Sequence, residues 1–195
     1  MSINDKLQQA QKSEHAQKSG EWFKLKEGDN TIRILTELEV IFEDFKKGIC
    51  YTDCGFTGTT KGLAWVLDKS DNQVKLMKIN YNLMKTIGAW ETDEDYGFNG
   101  YPMPYDIKIK AEGAGTKEVK YTYLPKPVSP ISDEVLDDLK SQKPISEIVQ
   151  IMKEKNIEKH KSEGTYGKFR SEATNENADT IEYPTDEIAP EDIPF

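Results

Sequence analysis

Between Trp22 and Leu124 the chain is a succession of short segments, each alternating or rich in β-branched and aromatic residues and each cut off by Gly, Asp and Asn. Two of them show the period of two most clearly. In Tyr105-Asp106-Ile107-Lys108-Ile109-Lys110 the isoleucines share one face and the lysines the other, and Lys120-Tyr121-Thr122-Tyr123 alternates in the same way. Segments of this length cannot be helices that bury one stripe; they must pair laterally, so the body of the chain is mainly β.

The breaks define the order of elements. Trp22–Lys26, Thr31–Thr36 and Leu38–Phe45 read as a meander around Glu27-Gly28-Asp29-Asn30. A Gly/Thr-rich loop follows from Gly48 to Gly62. Leu63–Asp68 and Gln73–Ile79 then form a hairpin about Lys69-Ser70-Asp71-Asn72, and Tyr81–Trp90 places Leu83, Met84, Ile87 and Trp90 at helical spacing. A last hairpin joins Tyr105–Ala111 to Lys117–Leu124, and Pro125, Pro127 and Pro130 close the β region. Two short helices are expected beyond it, one from Ser132 and one from Pro144, the latter with Ile145, Ile148, Val149 and Met152 on one stripe.

Five or more short strands with one helix before the last hairpin describe a small Greek-key barrel. The best-fitting form is an OB-fold, a five-stranded barrel, with an SH3-like barrel or a small sandwich as the alternatives. The resulting division is a polar arm at 1–20, the barrel at 21–127, a helical extension at 128–160 and an acidic segment, expected to be disordered, at 161–195.

Charge separates along the chain. The net charge is −9, yet Ser171–Phe195 holds eight acidic residues and no Lys or Arg, which leaves Met1–Arg170 at −1. The acidity is therefore no argument against a barrel that meets phosphates. No apolar run is long enough to span a bilayer, so no membrane partner is expected and a cytoplasmic location is, in a host cell if the protein is viral.

Little in the sequence speaks for catalysis. His15 and His160 both fall outside the barrel, and no phosphate loop, dinucleotide loop or nucleophile elbow is present. Cys50 and Cys54 stand at the spacing of half a zinc site, but the other half is missing; two reduced thiols are the preferred reading, with no cofactor. The pattern that does stand out is cations interleaved with rings. Lys24, Arg33, Phe42, Phe45, Lys46, Lys47, Tyr51, Phe56, Lys61, Trp65, Lys108, Lys110, Lys120, Tyr121 and Tyr123 form the candidate face. Phosphates need ammonium or guanidinium groups and unstacked bases need flat rings, so the expected ligand is single-stranded nucleic acid bound without sequence choice.

The chain ends Glu191-Asp192-Ile193-Pro194-Phe195. This peptide resembles the acidic C-terminal tip of bacterial single-stranded DNA-binding proteins. That resemblance implies docking of replication and recombination proteins of the polymerase, helicase, primase or nuclease type, with the acids steering and Phe195 filling a pocket. In the body, Lys24-Leu25-Lys26-Glu27-Gly28-Asp29-Asn30-Thr31-Ile32-Arg33-Ile34-Leu35, the Cys50–Cys54 pair, Trp65-Val66-Leu67-Asp68, Ile87-Gly88 and Tyr105–Ile109 look like the single-stranded DNA-binding proteins of tailed phages. That likeness implies an OB-fold core, in some members with a zinc loop, and a role in coating exposed strands during replication, recombination and repair. A further expectation is that the acidic tail competes with DNA for the cationic face. The rival reading is a protein-interaction adaptor or DNA mimic that binds no nucleic acid.

Overall fold

The computed structural model describes residues 22–51, 58–116 and 118–167. The polar arm, Phe56, Cys54 and residues 168–195 of the acidic segment with its Glu191–Phe195 tip lie outside the described residues, while the first residues of that segment, Lys161 and Ser162, complete the last helix. Seven strands, β1 (Gly28–Ile34), β2 (Glu39–Asp44), β3 (Gly48–Ile49), β4 (Thr59–Asp68), β5 (Gln73–Asn80), β6 (Tyr105–Glu112) and β7 (Lys120–Val128), form one antiparallel sheet. Three helices accompany it: α1 (Tyr81–Glu91), α2 (Asp133–Ser141) and α3 (Ile145–Ser162).

The strand order is β3-β2-β4-β1-β6-β7, with β5 on the other edge of β4. β4 is the organiser. Along one edge its first half pairs with β2 (Glu43 opposite Thr59) and its last residues pair with β1 (Ile34 opposite Val66), while β5 lies along the other edge from Lys61 to Asp68. Its opening residues Thr59–Gly62 fall in what the sequence marks as loop; pairing with β2 and β5 draws them into the sheet. β7 likewise runs past Pro125 and Pro127 to Val128, because an edge strand needs no donor on its open side.

Among the described residues β5 and β7 share no ladder, so the sheet is open and has seven strands rather than the five expected. A parallel bridge from Trp22 to Leu76, with the Phe23 N–H donating to the Leu76 carbonyl at 2.9 Å, lines the free edge of β5. Across the remaining gap the Tyr123 hydroxyl donates to Asn80 Oδ1 at 3.0 Å. Asn80 also caps α1, accepting from Leu83 N at 2.8 Å, so the same side chain starts the helix and links the two ends of the sheet.

Both faces of the central strands are apolar. Ala64 and Val66 join Ile32, Ile34, Met77, Ile107 and Ile109 in one core, which Leu83 and Ile87 of α1 cap. Leu63, Trp65 and Leu67 point the other way, into a second core with Leu35, Ile41, Val74 and Leu76 under Val135 of α2 and Ile145 and Val149 of α3. The helical extension therefore covers the sheet face that β4 and β5 would otherwise present to water. No helix among the described residues is long and apolar enough to cross a membrane.

Candidate nucleic-acid interface

Three positions assigned to an open face from the sequence belong to the interior. Arg33 is 1% exposed. Its Nε donates to Asp106 Oδ1 at 2.6 Å, and its terminal nitrogens donate to the carbonyl and hydroxyl of Ser129, in the segment that follows β7. Trp65 is buried in the second core, and its indole N–H donates to the Lys143 carbonyl at 2.9 Å. Tyr51 is buried against the end of the helical extension, its ring stacked on Tyr166 with centroids 6.1 Å apart. Arg33 does lie on the opposite face of β1 from Ile32 and Ile34, but Ser129 covers that face, the α2–α3 junction covers Trp65, and Ile157 and Tyr166 cover Tyr51.

Cys50 is also corrected. It is disulfide-bonded, so it is not a reduced thiol. Among the described residues no group of three or more His, Cys, Asp or Glu side chains could hold a metal.

The remaining candidates fall on separate surfaces. On the outer side of β6, Lys108 pairs with Asp29 at 2.7 Å and Lys110 with Glu112 at 2.6 Å; Lys120 stands opposite Glu112 in the β6–β7 ladder. These are exposed, mutually neutralising pairs. Tyr121 and Tyr123 lie on the other side of β7, stacked at 6.3 Å and half-buried against the first core. Burial pushes the Tyr123 phenol above its ordinary value, against the opposing hydrogen bond to Asn80. Lys24 lines a groove of about 320 Å³ with Lys26, Lys69 and Lys126, in which Asp29, Asp68 and Asp106 offset the cations.

A different arrangement crosses the end of the sheet at β2, β4 and β5. The β2–β3 turn is closed by the Asp44 carboxylate, which accepts from the backbone N–H of Lys46 at 2.8 Å and of Lys47 at 2.7 Å. The turn thrusts out Phe45, fully exposed beside Lys46. An apolar ring held in water by a rigid turn is a poor outcome for stability alone, and it is well placed to stack. The turn is braced from behind by α3. Asn156 Nδ2 donates to the carbonyls of Lys47 and Ile49 at 3.1 and 2.7 Å, and His160 Nε2 donates to the Lys47 carbonyl at 2.8 Å. Because a carbonyl only accepts, Nε2 carries a proton; Nδ1 lies 2.8 Å from the Thr165 hydroxyl.

Gly48 allows this close approach. Its φ is +85°, and a Cβ there would lie 2.7 Å from Asn156 Oδ1. Gly48→Ala is expected to lower stability by about 1–3 kcal/mol through backbone strain and displacement of Asn156. Urea unfolding monitored by circular dichroism measures the loss, and Asn156→Ala in the same background should recover the part owed to the clash.

Next to the turn, Glu43 takes Lys61 Nζ at 3.0 Å and Lys78 Nζ at 2.5 Å on its two oxygens. Lys78 also stands over the Trp22 ring, 5.4 Å from its centroid. Burial raises the Glu43 carboxyl, but hydrogen bonds and charge from Lys78 and Lys61 outweigh it and hold the group below the ordinary glutamate value. Register explains the grouping: Lys78 lies opposite Leu63 and Lys61 opposite Asn80, so both lysines stand on the same side of the sheet. Phe42, half-exposed, points to the opposite face of β2 from Glu43.

Of the residues in this turn and in the cluster about Glu43, the sequence reading named Phe45, Lys46, Lys47 and Lys61 and missed Lys78 and Trp22. The period of two along Leu76-Met77-Lys78 carries a signal for Lys78; nothing local carries one for Trp22, whose place comes from a bridge to a strand more than fifty residues away. In comparisons with known proteins, no family model, curated protein or solved structure matches this chain.

Proposed function

We propose that this chain binds single-stranded DNA without sequence specificity and coats exposed strands during replication, recombination and repair. The observation that carries the reading is the cluster of Lys61, Lys78 and the exposed Trp22 about Glu43, which sets ammonium groups beside a ring, with exposed Phe45 and Lys46 in the turn that follows β2. Stacking on rings contributes about 1–3 kcal/mol per base, and each lysine that meets a phosphate adds a salt-dependent increment. The connectivity resembles that of an OB-like barrel: β1 and β2 lie in tandem along one edge of β4, β5 follows along the other edge, then comes α1, then a hairpin whose first strand β6 returns to β1. The acidic C-terminal peptide ending Ile193-Pro194-Phe195 supplies a docking segment for replication and recombination proteins.

The test is a fluorescence titration of the full chain with oligothymidine and with duplex DNA at about 50 and 200 mM salt. Trp22 is exposed, Trp65 is buried in the second core and Trp90 packs against the first, so quenching that is lost in Trp22→Phe reports on Trp22. Single strands should quench and duplex should bind more weakly, and the salt slope should correspond to about two to four phosphates. A flat titration with both DNAs at the lower salt rejects the reading and leaves the protein-interaction adaptor.

A further inference from the structure

Two ammonium groups converge on one carboxylate at Glu43, and one negative charge cannot neutralise both. Lys61 and Lys78 remain about one-third exposed, whereas Glu43 is more deeply set, so the cations and not the acid face solvent. One of those cations also lies over Trp22, whose ring is 40% exposed. An oxyanion held by two lysines next to an accessible indole has the composition of a nucleotide site, with phosphate and base adjacent.

We propose that Lys61, Lys78 and Trp22 form a subsite for one nucleotide of a single strand, and that Glu43 is its resident counter-anion in the free protein. A phosphate oxygen takes the place of the Glu43 carboxylate between the two Nζ atoms, and the adjoining base stacks on Trp22. The proposal rests on the single-strand-binding reading and deepens it, since it predicts a brake on affinity built into the sheet. Glu43 preorganises the two lysines, which lowers the entropy lost on binding, but it must also be displaced or share its partners when phosphate arrives.

The experiment uses the full chain, a labelled oligothymidine and two variants. Glu43→Gln keeps a hydrogen-bonding side chain but removes the competing charge. It should tighten binding about 3–10-fold at low salt and steepen the salt slope by about one. Lys78→Gln should weaken binding by a similar factor and reduce the quenching of Trp22. Thermal unfolding of each variant checks that the fold is retained; if Glu43→Gln does not fold, Lys61→Gln, expected to weaken binding as Lys78→Gln does, replaces it. Wild-type affinity and quenching in either variant, with the wild-type protein binding single strands, overturns the subsite alone. Absence of single-strand binding by the wild-type protein overturns both the subsite and the function.

Discussion

Arg33→Ala destabilises the fold by about 3–5 kcal/mol, the cost of leaving a buried charge without its partner. The guanidinium ties β1 to Asp106 of β6 and to Ser129 beyond β7, so its loss leaves the Asp106 carboxylate to Lys69, 3.7 Å from its other oxygen, and takes a donor from the Ser129 carbonyl and hydroxyl together. Urea unfolding should show the midpoint falling with little change in slope. Removing both charges as Arg33→Met with Asp106→Leu should cost far less than Arg33→Ala, because no charge is then stranded. The paired comparison also separates two roles for Arg33. If it contacts DNA, the double variant is stable but binds weakly; if it is an internal strut, the double variant binds as the wild type does. The burial of Arg33 predicts the second result.

Trp65→Ala should cost about as much, about 3–5 kcal/mol, by opening a cavity in the core between the sheet and the helical extension. Trp65 packs with Leu63 and Leu67 against α2 and α3 and donates to the carbonyl of Lys143, at the junction of the two helices. Trp65→Phe, which keeps much of the ring and removes the N–H, isolates the hydrogen bond and should cost about 1–3 kcal/mol. Near-ultraviolet circular dichroism reads the loss of fixed packing, and proteolysis between residues 129 and 145 reads detachment of the helices. A Trp65→Ala chain that stays fully stable while losing DNA binding would return Trp65 to the binding face.

Much of the architecture was legible in local pattern. The hairpins about Lys69–Asn72 and Glu112–Thr116, the α1 stripe of Leu83 and Ile87, and the α3 stripe of Ile145 and Val149 all follow from spacing and turn chemistry. The candidate site was less legible. Alternation states which residues share a face of a strand, but it does not state what lies on that face. Trp65 and Lys61 occupy the same side of β4; one is covered by the α2–α3 junction and the other reaches Glu43 near solvent. Lys108 and Lys110 were legible as a cationic stripe, yet Asp29 from a neighbouring strand and Glu112 at the end of their own hold them in ion pairs.

The sequence by itself determined the mainly-β class, the single helix between the strand groups, the two helices after Pro130, and the segregation of negative charge into Ser171–Phe195. Periodicity and turn residues act over a few positions, and so does a run of like charges. Only the tertiary structure decided that the sheet is open, that Arg33, Trp65 and Tyr51 are interior, and that Lys61, Lys78 and Trp22 meet around Glu43. Those outcomes depend on which distant segments cover or pair with a strand, and that is set by long-range pairing and burial rather than by neighbours in the chain.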